Sequence, residues 1–249
     1  MSVKSLATIL IAMLSPISGS IAYAQSDVRI AILGDSNTWL GGDDCNNRKG
    51  WTYWFKNIVR PKECTSFARS GATWTNTEST VVDIKENIGV LGDNNVIMNQ
   101  VERLRKATSE GKMVSPDIII IAAGTNDAWF KDKRPGAFAD DDTYMSLHGA
   151  VTNNCELLKR LYPNARIIVL TPLQTTAADL SLIRKAGDII QTAAERLGAE
   201  VIRQDKVMKV DCKREKTKHL YTYDGTHTNI KGAKSNGEYI GNWIRNRKL

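Results

Sequence analysis

The chain is sparing with the residues that anchor small or metal-built proteins. Among 249 residues there are only four cysteines, six prolines and three histidines. No Cys-x-x-Cys pair occurs, which argues against a structural zinc site or a thioredoxin-type redox site. Gly-x-Ser-x-Gly, His-Glu-x-x-His, the P-loop and Gly-x-Gly-x-x-Gly are also missing. Their absence sets aside a nucleophile elbow, a zinc protease helix, a phosphate cradle and a dinucleotide fold. Past the first two dozen residues, no apolar run is long enough to span a bilayer. The formal net charge of +7 is spread out, with one denser stretch at Lys206–Lys218. No RNA-binding motif or basic helix face goes with it, so no nucleic-acid partner is expected. A solvated face explains the basic stretch, and steering of anionic substrates is the alternative.

What the N-terminus does contain is a leader. Lys4 precedes a largely apolar stretch, Leu6–Leu14, and Ala22-Tyr23-Ala24 matches a small-x-small cleavage site. Residues 1–24 are read as a secretory signal peptide and 25–249 as one catalytic domain, secreted or periplasmic. No cysteine follows the cut, so a lipid anchor is not expected. Export permits disulfides. Cys45, Cys64, Cys155 and Cys212 allow three full pairings, among which sequence does not choose. Cys45 and Cys64 flank a helix-like segment and are placed to tie a loop to a strand; plain buried thiols are the other reading.

At 42% hydrophobic and 24% charged residues, the remainder suits a chain with a full core. Its patterning alternates. Val28–Leu33, Cys64–Ala68, Asp117–Ala123, Arg166–Leu170 and Ala199–Arg203 read as short apolar strands. Helical spacing fills the gaps at 50–59, 96–107, 144–161, 180–197 and 228–247. Residues 72–95 are polar and read as an extended excursion. Ile118-Ile119-Ile120-Ile121 is apolar on both faces, as a central parallel strand must be. The expected fold class is α/β: a three-layer α/β/α sandwich with a flavodoxin-like, doubly wound parallel sheet of about five strands.

Parallel strands end on one edge of a sheet, and ligands bind there. Three polar turns follow such ends: Gly34-Asp35-Ser36-Asn37, Ser70-Gly71 and Gly124-Thr125-Asn126-Asp127. Alone, each is an ordinary turn. A serine nucleophile also needs a base and a group that orients the base. Among the three histidines, His148 falls in a helix and His219 in the basic stretch. His227 stands in Asp224-Gly225-Thr226-His227, where Gly225 permits a sharp turn and Asp224 can reach the imidazole. The Ser36 N–H, the Gly71 N–H and the Asn126 side-chain amide complete the set as oxyanion donors. Asp35 and Asp127 are expected to hydrogen-bond their own turns. The chemistry requires no cofactor and no metal.

In order and in position, these four blocks resemble those of the SGNH (GDSL-type) hydrolases, and the likeness covers essentially all of the chain after the leader. The resemblance implies an esterase with Ser36 as nucleophile, His227 as base and acid, and Asp224 as its orienter. It places the oxyanion among Ser36, Gly71 and Asn126. One departure is Asn37, where the namesake motif has leucine; it bears on the substrate subgroup and not on the chemistry. Trp39, Trp74 and Trp129 each follow a motif residue, and with Asn37 they are the expected substrate contacts. Removal of small acyl groups, acetyl above all, from a glycan or small-molecule ester is the favoured activity. A lysophospholipase, a thioesterase or an O-acyltransferase with the same triad is the alternative, and an idle glycan-binding protein is one of another class. The oligomeric state is left open.

Overall fold

The computed structural model describes residues 25–80 and 95–247. The leader expected at 1–24, and residues 81–94 of the expected excursion, lie outside the described residues. The strands are β1 (Arg29–Gly34), β2 (Glu63–Ser66), β3 (Ile118–Ala122), β4 (Arg166–Leu170) and β5 (Glu200–Ile202). They form one sheet in the order β2-β1-β3-β4-β5, with every pairing parallel. This is the flavodoxin-like order, and helices cover both faces.

Side chains of successive strand residues point to opposite faces, so each strand divides its apolar residues between two cores. Ile119 and Ile121 join Leu33 and Val169 in one core, with α3 (Ile97–Ser109), α5 (Leu147–Leu161) and α6 (Leu180–Arg196). Ile118 and Ile120 join Ile30, Ile32 and Ile168 in the other, under α2 (Trp51–Val59) and α9 (Ile230–Arg245). β3 sits in the middle of the sheet and all five of its residues are buried. The isoleucine run is therefore the consequence of having a helix layer on each side.

The long helices lie within two or three residues of their expected bounds, and their ends have local causes. α2 stops where Arg60 turns left-handed at φ 50, just before Pro61. The Ser146 side chain caps α5 by accepting from Gly149 N–H, and Asn229 caps α9 by accepting from Gly232 N–H. Two regions differ from expectation. The stretch after β5 forms α7 (Gln204–Val207) and α8 (Cys212–Lys218), with Asp211 capping α8. Its run of charged residues hid the helix because few apolar positions mark a period. The chain also enters helix directly after β1 and β3, as α1 (Ser36–Trp39) and α4 (Thr125–Trp129).

One contact sets up the functional edge. β2 pairs with β1 only as far as Ile32↔Ser66, so Gly34 extends past its neighbour. The chain beyond β2 still reaches it, Arg69 N–H donating to Gly34 O at 3.0 Å, and Gln100, from α3, meets the same residue. Its Oε1 accepts from Gly34 N–H at 2.8 Å, and its Nε2 donates to Gly34 O at 2.9 Å. A buried amide thereby partners the N–H of the residue two before Ser36 and shares its carbonyl with Arg69 N–H. Among the described residues, no helix is long and apolar enough to cross a membrane.

Candidate active site

Ser36 opens α1 at the carboxyl end of β1. The Asp35 carboxylate caps this short helix by accepting from Asn37 N–H at 3.1 Å. Burial pushes the Asp35 carboxyl up to about 7, against the lowering effects of the Asn37 N–H and of nearby His227.

From the other end of the chain, the loop 222–229 brings His227 to Ser36. Gly225, at φ 86, makes the turn; a Cβ there would lie 2.1 Å from Thr176 Oγ1. Asp224 Oδ1 accepts from the backbone N–H groups of Thr226 and His227 at 2.9 and 2.7 Å. Asp224 Oδ2 lies 2.6 Å from His227 Nδ1, and His227 Nε2 lies 3.0 Å from Ser36 Oγ. An ionised carboxylate only accepts, so Nδ1 carries the proton and Nε2 is left to accept from the serine hydroxyl. Burial alone would raise the Asp224 carboxyl, but the hydrogen bonds from the His227 ring and from the two N–H groups draw it below its ordinary value.

The Gly71 turn and Asn126 meet on the same edge. Gly71 is left-handed at φ 77. Asn126 Nδ2 donates to Ala72 O at 2.8 Å, which seats its amide beside the Gly71 turn. Asp127 does not bond its own turn as expected. Its buried carboxylate reaches across to accept from Trp74 N–H, Thr75 N–H and Thr75 Oγ1–H at 3.0, 3.0 and 2.7 Å. It clamps the loop after Gly71 to the start of α4. Burial raises its pKa, against the lowering effect of the Thr75 hydrogen bonds.

Two of the expected substrate contacts need correction. Trp74 is 0% exposed and packs in the core under α3 and α5, because the Asp127 clamp turns the loop inward at that residue. Asn37 is also buried, and its side chain is already engaged. Its Oδ1 accepts from Thr228 N–H at 2.9 Å, and its Nδ2 donates to Thr226 O at 3.3 Å. It brackets His227 on both sides and does not project toward a ligand. Trp39 and Trp129 do stand at the surface, 39% and 37% exposed.

Tyr223 escaped the sequence reading. Its ring stacks on the His227 imidazole with centroids 5.7 Å apart and planes 14° from parallel, and its backbone N–H donates to His227 O. Its place beside Asp224 was the only available signal. The other two histidines are elsewhere: His148 pairs with Asp142, and His219 ends α8. Among the described residues, no three metal-ligating side chains come together.

A serine, an imidazole and a carboxylate in one hydrogen-bonded line, at the edge of a parallel sheet, make an arrangement suited to acyl transfer. The profile of the GDSL-like lipase/acylhydrolase family matches residues 32–234, which include all four blocks. The chain belongs to this family. It is a GDSL-type acylhydrolase, a carboxylic ester hydrolase. No curated protein sequence matches it significantly. Solved structures match over most of its length. One is a protein from Lactobacillus plantarum at 15% identity, covering 91% of this chain and 100% of that one, with a TM-score of 0.61. Another is a lipase/acylhydrolase from Enterococcus faecalis at 18% identity, covering 88% and 97%, with a TM-score of 0.55. A third is an acetyl xylan esterase at 15% identity, covering 89% and 100%, with a TM-score of 0.57. At such identities the likeness is one of fold.

Proposed function

We propose that this acylhydrolase is an exported serine esterase that removes small acyl groups, acetyl first among them, from glycans. The observation that carries the reading is the continuous line from Asp224 through His227 to Ser36. In this mechanism His227 Nε2 takes the Ser36 proton as Oγ attacks the ester carbonyl. Asp224 stabilises the imidazolium that results. The oxyanion is held by the N–H groups of Ser36 and Gly71 and by the Asn126 amide. His227 then protonates the departing alkoxide, and the alcohol leaves. Water, deprotonated by the same imidazole, attacks the acyl-enzyme and releases the acid.

The glycan preference rests on the rim. Trp39 at the end of α1, Trp129 at the end of α4 and Tyr223 against His227 are exposed aromatic surfaces, of the kind on which sugar rings stack. Beside Trp129 is an open cleft of about 410 Å³, lined by Thr175, Thr176, Asp179, Lys213 and Lys216 together with Leu180 and Leu182. The loop after β4 joins it to the triad, since Thr176 N–H donates to Gly225 O and Thr175 Oγ1 lies 2.6 Å from Thr226 Oγ1. This mixed polar lining suits a hydrophilic alcohol better than a long acyl chain. The acetyl xylan esterase among the structural relatives is consistent with it. The leader-like residues 1–24 support export.

The test is turnover of p-nitrophenyl esters of increasing chain length, followed by acetylated polysaccharides. Ser36→Ala and His227→Ala should lose activity by several orders of magnitude, and a fluorophosphonate should label Ser36 alone. Wild-type turnover in either variant would sink the triad. A rate that climbs with acyl length beyond hexanoyl would sink the acetyl preference.

A further inference from the structure

We infer that Cys45 and Cys64 are joined in the working protein by a disulfide that fastens the loop behind Ser36 to β2. The two sulfurs touch, with Sγ–Sγ at 3.4 Å, and both side chains are buried. The fold also excludes one alternative partner. Cys45 and Cys64 share the core under α2 and α9. Cys155 belongs to the core on the opposite face of the sheet. The sheet stands between them, so neither Cys45 nor Cys64 can reach Cys155.

A second observation concerns the backbone. Cys45 is left-handed at φ 58, a conformation that favours glycine or asparagine. A cysteine there carries its sulfur onto β2. The surrounding loop is already held in place. Ser66 N–H donates to Asp43 O at 2.7 Å, Lys56 Nζ to Asp44 O at 2.9 Å, and Asn47 N–H to Gly41 O at 2.9 Å. The same loop reaches toward the oxyanion turn, because Asp43 Oδ1 accepts from Arg69 Nη1 at 2.8 Å, two residues before Gly71. A bond at Cys45 therefore secures a segment that touches both the α1 end and the Gly71 turn.

The oxidant is a small or protein disulfide, RSSR, as found in an exporting compartment. One cysteine thiolate attacks RSSR, the S–S bond breaks, and RS⁻ departs to take up a proton. The second cysteine, deprotonated, attacks the mixed disulfide and expels the second RS⁻. Two protein thiols are oxidised and RSSR is reduced to two RSH. Because both sulfurs are buried in the folded chain, the exchange belongs to folding, before the loop closes over β2.

Peptide mapping decides the matter without reference to catalysis, so failure of the esterase reading would leave this result untouched. The protein lacking residues 1–24 is refolded in a glutathione redox buffer, denatured without reductant, alkylated and digested. The expected product is a cross-linked peptide pair, two hydrogens lighter than the free peptides, joining Cys45 to Cys64. Reductant should then lower the Tm by roughly 6–12 °C, from the closure of a loop of about 20 residues. The Tm of a Cys45→Ser/Cys64→Ser variant should not respond to reductant. Full alkylation of Cys45 and Cys64, or a link from either to Cys155 or Cys212, would overturn the proposal. If the double variant fails to fold, the wild-type peptide map still decides.

Discussion

Replacing Asn37 with alanine removes two hydrogen bonds that bracket His227, one to Thr228 N–H and one from the amide to Thr226 O. Thr228 is 2% exposed, so its N–H would be stranded away from water. An orphaned buried donor costs about 1–3 kcal/mol. The longer Thr226 bond, at 3.3 Å, adds about 0.5–1 kcal/mol. A total of roughly 1.5–4 kcal/mol should lower the Tm by about 3–16 °C. The kinetic effect is separate. His227 Nε2 must stay 3.0 Å from Ser36 Oγ, and a displacement of about 1 Å costs on the order of 10²-fold in rate. Both kcat with p-nitrophenyl acetate and the rate of fluorophosphonate labelling of Ser36 should fall by about that factor. Asn37→Asp keeps the acceptor for Thr228 but loses the donor to Thr226, and it sets a second carboxylate beside Asp35, so it should rescue only part of the loss. Wild-type kcat and Tm in Asn37→Ala would refute the bracing role. So would a variant whose only defect was a raised KM for a polysaccharide, since that is the mark of a substrate contact.

Asp35 predicts a pH dependence of stability. Its carboxyl titrates near 3.8 ordinarily and at about 7 in the fold. Between those values the folded chain holds a proton that the unfolded chain has released, so stability falls as pH rises from about 4 to about 7, by on the order of 4 kcal/mol at most. Asp35→Asn should flatten the Tm-against-pH curve across that window; parallel curves for variant and wild type would count against the buried proton. Asp127→Ala strands three donors at once and loosens the Gly71 loop, so kcat should fall about 10²–10³-fold, as for loss of an oxyanion donor, with KM little changed; an unaltered kcat in a folded variant would separate Asp127 from the oxyanion site. Trp74→Ala should cost about 3–5 kcal/mol as a core cavity, measured by denaturant unfolding. Trp129→Ala should leave the Tm in place and weaken only turnover of acetylated polysaccharide, and equal losses on p-nitrophenyl acetate would argue against a sugar platform.

What the sequence determined by itself was the layered fold and the side chains that meet in the hydrogen-bonded line of the candidate site. Ile118–Ile121 can be apolar on both faces only in a strand covered twice, and strands alternating with amphipathic helices leave little choice but a parallel sheet. Asp224-Gly225-Thr226-His227 was legible because the carboxylate, the turn and the imidazole lie within four residues, so their geometry is local. Tertiary structure alone decided the supporting contacts. Asn37 was read as a substrate contact because nothing nearby in the sequence engages its amide; its partners, Thr226 and Thr228, arrive from the far end of the chain. Trp74 looked like a rim residue from its spacing after Gly71, but the carboxylate of Asp127 turns that loop into the core. Helix α8 was hidden in a basic stretch because its stability comes from a cap and from contacts with other elements, and such a helix leaves little apolar periodicity. Hydrogen bonds and packing between segments distant in the chain have no sequence period, so only the folded arrangement reveals which residues hold the site in place.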